Sequence, residues 1–370
     1  MSNADSTAAP RRRKWTFYLG YIFFLLVILL IAGEVTVRFM GYSAWAPADQ
    51  KFEVVGGGSL FAPDSLLGYR GRPGVHDALL DGKLKFRVTQ DAEGWRITEP
   101  IGANQADSIP RPEVWIFGCS FTHGYGVEDN VTYPWLLQSA FPSYKVRNFG
   151  MSAYGTLQSD LLLADLLAKR PKAGRSPALV VLAYGGFHDQ RNTSNRYWRK
   201  VLSGREVSNG LRYPHVRFDD SDSLVLGYSE LEYAEFPLMR VSALSHFVEM
   251  KYNRGEDTKL RSAEVTERLI GRMEARCKAK QVPFLLTGVF YHSDTERMLG
   301  RFGERGTDTL DISVDMEAHP EMKILPEDGH PNAEGHAKMG EKLEQWMRAN
   351  LVVEEIPVDS GNLVPAEQFP

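Results

Sequence analysis

The sequence predicts an α/β protein with a mainly parallel sheet and helices on both faces, and three observations carry that prediction. Four short apolar runs, Val114-Trp115-Ile116-Phe117, Tyr144-Lys145-Val146, Ala178-Leu179-Val180-Val181-Leu182-Ala183 and Pro283-Phe284-Leu285-Leu286, read as strands buried on both faces. Helical patterns lie between and after them: Val265, Leu269, Met273 and Cys277 recur at four-residue spacing, as do Met339, Leu343 and Met347. The resulting β-α-β-α alternation belongs to parallel sheets, which hold their sites at the carboxyl ends of the strands.

Taken from its start, the chain opens with a polar stretch, then Arg11, Arg12, Arg13 and Lys14, then an uncharged apolar run over 15–33. Those 19 residues match a helix crossing a hydrocarbon core of about 30 Å at 1.5 Å per residue. A cleaved signal peptide has a shorter apolar region of about 7–15 residues and a small-x-small site, which Ile31-Ala32-Gly33 fits poorly. An uncleaved anchor over 15–35 is therefore expected, with residues 1–14 cytoplasmic because the basic flank precedes the span. The remainder is expected outside the cytoplasm or in the periplasm, tethered to the plasma (inner) membrane. Residues 36–112 are rich in Gly and Pro, with one alternating stretch at Lys83-Leu84-Lys85-Phe86-Arg87-Val88, and read as a stalk and a small β-containing subdomain that acts as a spacer. The α/β domain is expected over 113–351, with an insertion at about 190–238 lying over the site as a lid, and a flexible tail over 352–370.

Composition removes several classes. With 43% hydrophobic and 24% charged residues the chain is not a disordered one, and 43 basic against 47 acidic residues give a net charge of −4, which does not mark a nucleic-acid binder. Cys119 and Cys277 alone supply neither a disulfide framework nor a thiolate cage. His123, His188, His292, His330 and His336 form no metal-ligand spacing, so neither metal nor cofactor is expected.

Chemistry is carried by four short blocks. Strand one ends in Gly118-Cys119-Ser120-Phe121-Thr122, where Ser120 at a strand tip can act as a nucleophile, although a serine there can equally cap a helix. Glu327-Asp328-Gly329-His330-Pro331-Asn332 precedes the last helix; an acid close before a histidine can orient the imidazole, or the segment can be a plain helix-entry turn. Asn148-Phe149-Gly150-Met151-Ser152-Ala153-Tyr154-Gly155 and Tyr184-Gly185-Gly186-Phe187-His188-Asp189 follow strands two and three. In this order, over about residues 114–351, the four blocks resemble the SGNH/GDSL hydrolases, and with the anchor and the β region the chain looks like the family's membrane-tethered bacterial members.

That resemblance implies a flavodoxin-like three-layer α/β sandwich and acyl hydrolysis or transfer on lipids and glycans. It places the nucleophile at Ser120 and the base at His330. The family's usual acid falls on Glu327, three residues before the histidine; Asp328 has the shorter spacing of some members and is preferred here. The oxyanion hole falls on the N–H groups of Ser120 and Ala153 and on His188, where the family's usual glycine and asparagine are replaced. Cys119, where many members have aspartate, should face the core, since alternate strand residues point to opposite sides; Cys277 belongs to an apolar helix stripe.

Arg191, Arg196 and Trp198, in the cationic and aromatic segment after the third block, could stack on sugars or pair with an anionic group, or be simply solvated. The partners expected are the lipid bilayer, through the N-terminal helix, and an acyl ester of a glycan or lipid; no nucleic acid is expected. The leading reading is a serine ester hydrolase. Alternatives are an O-acyltransferase of an envelope polysaccharide using the same residues, and a binding or assembly subunit with a degenerate oxyanion hole.

Overall fold

The computed structural model describes residues 11–47, 51–102, 111–169, 176–203, 211–326 and 328–351. Residues 1–10, the tail from 352 and Glu327 lie outside the described residues. In chain order the elements are α1 (Arg11–Phe39), β1 (Phe52–Val54), β2 (Phe61–Asp64), β3 (Gly68–Gly71), β4 (Gly74–Leu80), β5 (Leu84–Gln90), β6 (Glu113–Gly118), α2 (Ser120–His123), α3 (Tyr133–Ala140), β7 (Lys145–Gly150), α4 (Thr156–Lys169) and β8 (Leu179–Tyr184). There follow α5 (His188–Asn192), α6 (Arg196–Leu202), β9 (Arg212–Phe218), β10 (Leu224–Glu230), α7 (Ala243–Leu260), α8 (Ser262–Ala279), β11 (Phe284–Gly288), α9 (Ser293–Gly303), β12 (Asp308–Asp311) and α10 (Ala333–Asn350). They fall into two units, Met1–Asp49 with Glu232–Thr258, and Gln50–Leu231 with Lys259–Pro370.

In the first unit, α1 carries a stretch, Trp15–Phe39, that is long and apolar enough to cross a membrane, with a mean hydropathy of 2.4. Its far end meets the start of α7, where the Glu34 carboxylate accepts hydrogen bonds from Ser242 Oγ and the N–H groups of Ala243 and Leu244.

The second unit is the predicted α/β sandwich. Its five strands run in the order β12-β11-β8-β6-β7, all parallel. The strand pleat sorts the core into two layers. Trp115 and Phe117 of β6 point to the side covered by α4, α8 and α9, among Leu163, Ile270, Met273 and Phe302, while Val114 and Ile116 point to α3 and α10, among Leu137, Met339 and Leu343. Both faces of the central strands are thus covered, which is why their sequences are unbroken apolar runs. β12 was not foreseen: Asp-Thr-Leu-Asp at a half-exposed sheet edge has no apolar run to announce it.

The small β region belongs to this same unit. β1, β4 and β5 form an antiparallel sheet whose buried face, Ala78, Leu80, Phe86 and Val88, packs with Leu60 against Tyr125, Ile324 and Leu325 of the loops around the site. It is a buttress, not only the spacer expected. The β9–β10 hairpin of the insertion packs on helices, with Val216 among Leu157, Val265 and Leu269.

Candidate active site

β6 lies between β7 and β8, the point at which successive strands are added on opposite sides, so a crevice is expected beyond its carboxyl end. Ser120 sits there as the first residue of α2, directly after the N-cap Cys119. The turn needs its glycines. A Cβ on Gly118 would collide with the Thr122 side chain, and Gly124, which ends α2, has φ +86°.

His330 reaches Ser120 from the loop before α10. Its Nε2 is 2.8 Å from Ser120 Oγ, and its Nδ1 is 2.6 Å from Asp328 Oδ1, which also accepts the His330 backbone N–H at 2.8 Å. With Nδ1 donating to the carboxylate, Nε2 is left as the acceptor facing the serine. The loop is held in place at its base: Ile324 N–H donates to the His330 carbonyl, Asn332 N–H to the Met322 carbonyl, and the Asn332 amide to the carbonyls of Glu321 and Lys323. Phe121 and Tyr125 flank the imidazole, with ring centroids 5.1 and 4.8 Å away. Asp328 is nearly buried and His330 partly open.

The two middle blocks join the first. Met151 N–H donates to the Gly118 carbonyl and Asn148 Nδ2 to the Thr122 carbonyl. Ala153 takes φ +66°, the left-handed region in which the resembled family's glycine would be at ease. Block three is stitched to block two: Asn192 Oδ1 accepts from Leu157 N–H, Arg191 Nη1 donates to the Tyr154 carbonyl at 2.8 Å, and His188 Nδ1 meets Thr156 Oγ1 at 3.2 Å.

His188 is completely buried, and its Nε2 has no hydrogen-bond partner among the described residues. Burial, reinforced by the Arg191 charge, holds its pKa well below the usual histidine value, so the ring is neutral and offers one N–H. Cys119 is also fully buried, and burial raises its thiol pKa; Cys277 is buried in the α8 stripe and the two are unbonded. Of the three weaker expectations, Arg191 lies within the site cluster, its guanidinium stacked on Phe187 and Trp198 at 4.2 and 4.6 Å and its charge felt by Cys119. Trp198 is buried rather than open to a sugar, and Arg196 begins α6 half-buried.

Sequence reasoning missed Arg96. Its wholly buried guanidinium donates to Asp129 Oδ1 and to the carbonyls of His123, Gly124, Arg87 and Val127, so it ties the end of α2 to the small β region. A lone arginine in a segment read as a spacer gave no signal. Among the described residues no three His, Cys, Asp or Glu side chains gather as a metal would require.

No family model matches the chain, and no curated protein matches it. Among solved structures it is similar to TesA, at 14% identity over 64% of this chain and 98% of that one with a TM-score of 0.39. It is also similar to a member of the lipolytic protein G-D-S-L family from Veillonella parvula DSM 2008, at 13% identity over 64% and 98% with a TM-score of 0.37. A third is AlinE4, an SGNH-hydrolase family esterase, at 14% identity over 66% and 98% with a TM-score of 0.34.

Proposed function

We propose that this chain is a membrane-anchored serine ester hydrolase of the SGNH type, acting outside the cytoplasm on acyl esters of a glycan or lipid. The observation that carries the reading is the hydrogen-bonded line Ser120–His330–Asp328, assembled from residues 210 positions apart. Ser120 Oγ attacks the ester carbonyl while His330 Nε2 takes its proton, and Asp328 steadies the imidazolium that forms. The tetrahedral oxyanion is met by the N–H groups of Ser120 and Ala153 and by the unpartnered Nε2–H of His188. His330 then protonates the leaving alcohol and water releases the acid. Phe121, Phe187 and Phe290, packed ring on ring beside the serine, give the acyl group an apolar wall. A sugar hydroxyl replacing water would make the same residues an O-acyltransferase, which is distinguished by supplying a glycan acceptor and measuring acylated product against free acid. The basic residues Arg11 to Lys14 that precede the apolar run of α1 support an extracytoplasmic location, which a reporter fused after Leu351 tests.

The chemical test is a fluorophosphonate probe on the full chain in detergent. Labelling is expected in the parent and in Cys119→Ala, and absent in Ser120→Ala and His330→Ala. A parent that stays unlabelled overturns the catalytic reading in favour of a binding or assembly subunit.

A further inference from the structure

Resting on the reading of α1 as a membrane anchor, we propose that the turn 236–242 is a second lipid contact, with Leu238 and Val241 entering the interface of the bilayer that α1 spans.

The first argument is position. The apolar run of α1 ends at Gly33, and Glu34 is its first charge. The Glu34 carboxylate takes hydrogen bonds from Ser242 Oγ at 2.7 Å and from the N–H groups of Ala243 and Leu244 at 2.9 Å. Leu244 lies over Gly33, where a Cβ would stand 3.1 Å from Leu244 Cδ2, and Arg38 donates to the Val241 carbonyl at 3.3 Å. The turn is therefore fastened to the last turns of α1, from residue 33 to residue 38. Those residues rise about 8 Å along the helix, close to the thickness of one headgroup layer.

The second argument is what the turn shows to the outside. Met239 is buried, with its sulfur accepting from Phe236 N–H and Tyr233 Oη and its carbonyl accepting from Trp45 N–H. Leu238, at φ +61°, and Val241 are turned out, 72% and 69% exposed, and Phe39 at the end of α1 is 90% exposed. The turn is internally bonded: the Leu238 carbonyl accepts from the N–H groups of Val241 and Ser242, and Arg240 pairs with Glu235 and covers Trp45 at 5.2 Å. A fastened turn with exposed apolar side chains, tied to the helix end where the apolar run of α1 stops, suits a lipid interface rather than water.

The test uses the full chain in nanodiscs with single introduced cysteines, Ile28→Cys, Leu238→Cys or Val241→Cys, each carrying an NBD fluorophore; Cys119 and Cys277 are buried. Lipids brominated high on the acyl chain should quench positions 238 and 241 at least twofold and shift their emission to the blue, while aqueous iodide quenches them weakly. Ile28→Cys reports the anchor separately. If position 28 is quenched by lipid but 238 and 241 respond only to iodide, the turn faces water and the proposal falls while the anchor stands. If 238 and 241 respond to neither quencher, a protein surface covers them and the proposal also falls. If position 28 is not quenched by lipid, the anchor reading itself fails.

Discussion

Arg96→Met is expected to cost about 3–5 kcal/mol of folding stability, the range for breaking a buried ion pair from one side. The side chain is 0% exposed, so methionine of similar length keeps most of its packing and the loss is polar. Asp129 loses a charged donor at 2.9 Å and retains the Thr89 N–H at 3.0 Å, while the carbonyls of His123, Gly124, Arg87 and Val127 lose their shared guanidinium. Each unsatisfied buried acceptor costs about 1–3 kcal/mol, and partial relaxation keeps the total below their sum. Against a whole stability of about 5–15 kcal/mol this is a large fraction. The assay is denaturant unfolding of the full chain in detergent, followed by tryptophan fluorescence, with fluorophosphonate labelling rate on the folded fraction. The rate should fall about tenfold or more, because the freed carbonyls close α2 behind Ser120 and small displacements of a nucleophile are costly. Adding Asp129→Leu should recover much of the stability, since removing both partners strands no charge. A single-variant cost below about 1 kcal/mol, or a double variant as unstable as the sum of the singles, refutes the reasoning.

Asp328→Asn should lower ester hydrolysis by about 10³–10⁴, as expected when the base loses its orienting carboxylate, while Glu327→Gln leaves it within a few-fold; the opposite ranking moves the acid to Glu327. His188→Ala should lower kcat by about 10²–10³ with KM little changed, and His188→Asn should restore much of it; a fully active His188→Ala removes the ring from the oxyanion hole. Burial first, and the Arg96 charge second, lower the pKa of His123 and of His336 from 6.5 to about 3. Both rings are neutral in the folded chain, and the unfolded chain binds more protons below pH 6.5, so the stability is complete above that pH and is lost progressively towards pH 3. At pH 5 the loss is about 2 kcal/mol per histidine, measurable by denaturant unfolding at pH 7 and pH 5. His123→Phe should remove about 2 kcal/mol of the difference, the rest staying with His336 and the equally buried His188, and a parent equally stable at both pH values contradicts the assignment.

The three central strands β6, β8 and β11 were legible because strands covered on both sides must be apolar throughout, and the four site blocks because each is a short segment at a strand end or before a helix. Each block alone left a plain helix-cap or helix-entry reading open, and Ser120, Asp328 and His330 could be named only from the resemblance of the four blocks taken together; their convergence is a property of the fold. What escaped the sequence depends on distant partners. Arg96 is a single charge whose five acceptors are spread over residues 87–129, Tyr125 owes its place beside His330 to Phe52 and Phe86, and the burial of Trp198 under Arg191 depends on a fold contact that composition does not announce. Position 188 was read as a donor by alignment with the third block, but its burial and the contact with Thr156 follow from how α4 and α5 meet.

The separation of 210 residues between Ser120 and His330 also sets a schedule for the chain's birth. At about 5–20 residues per second, synthesis delivers Ser120 roughly 10–40 s before His330. During that interval the central strands and the turn around the serine can begin to form, but its hydroxyl has no base and remains an ordinary alcohol. On the proposed reading a nascent, stalled or C-terminally clipped polypeptide is therefore chemically silent, and reactivity is expected only once the final loop folds back over the finished sheet.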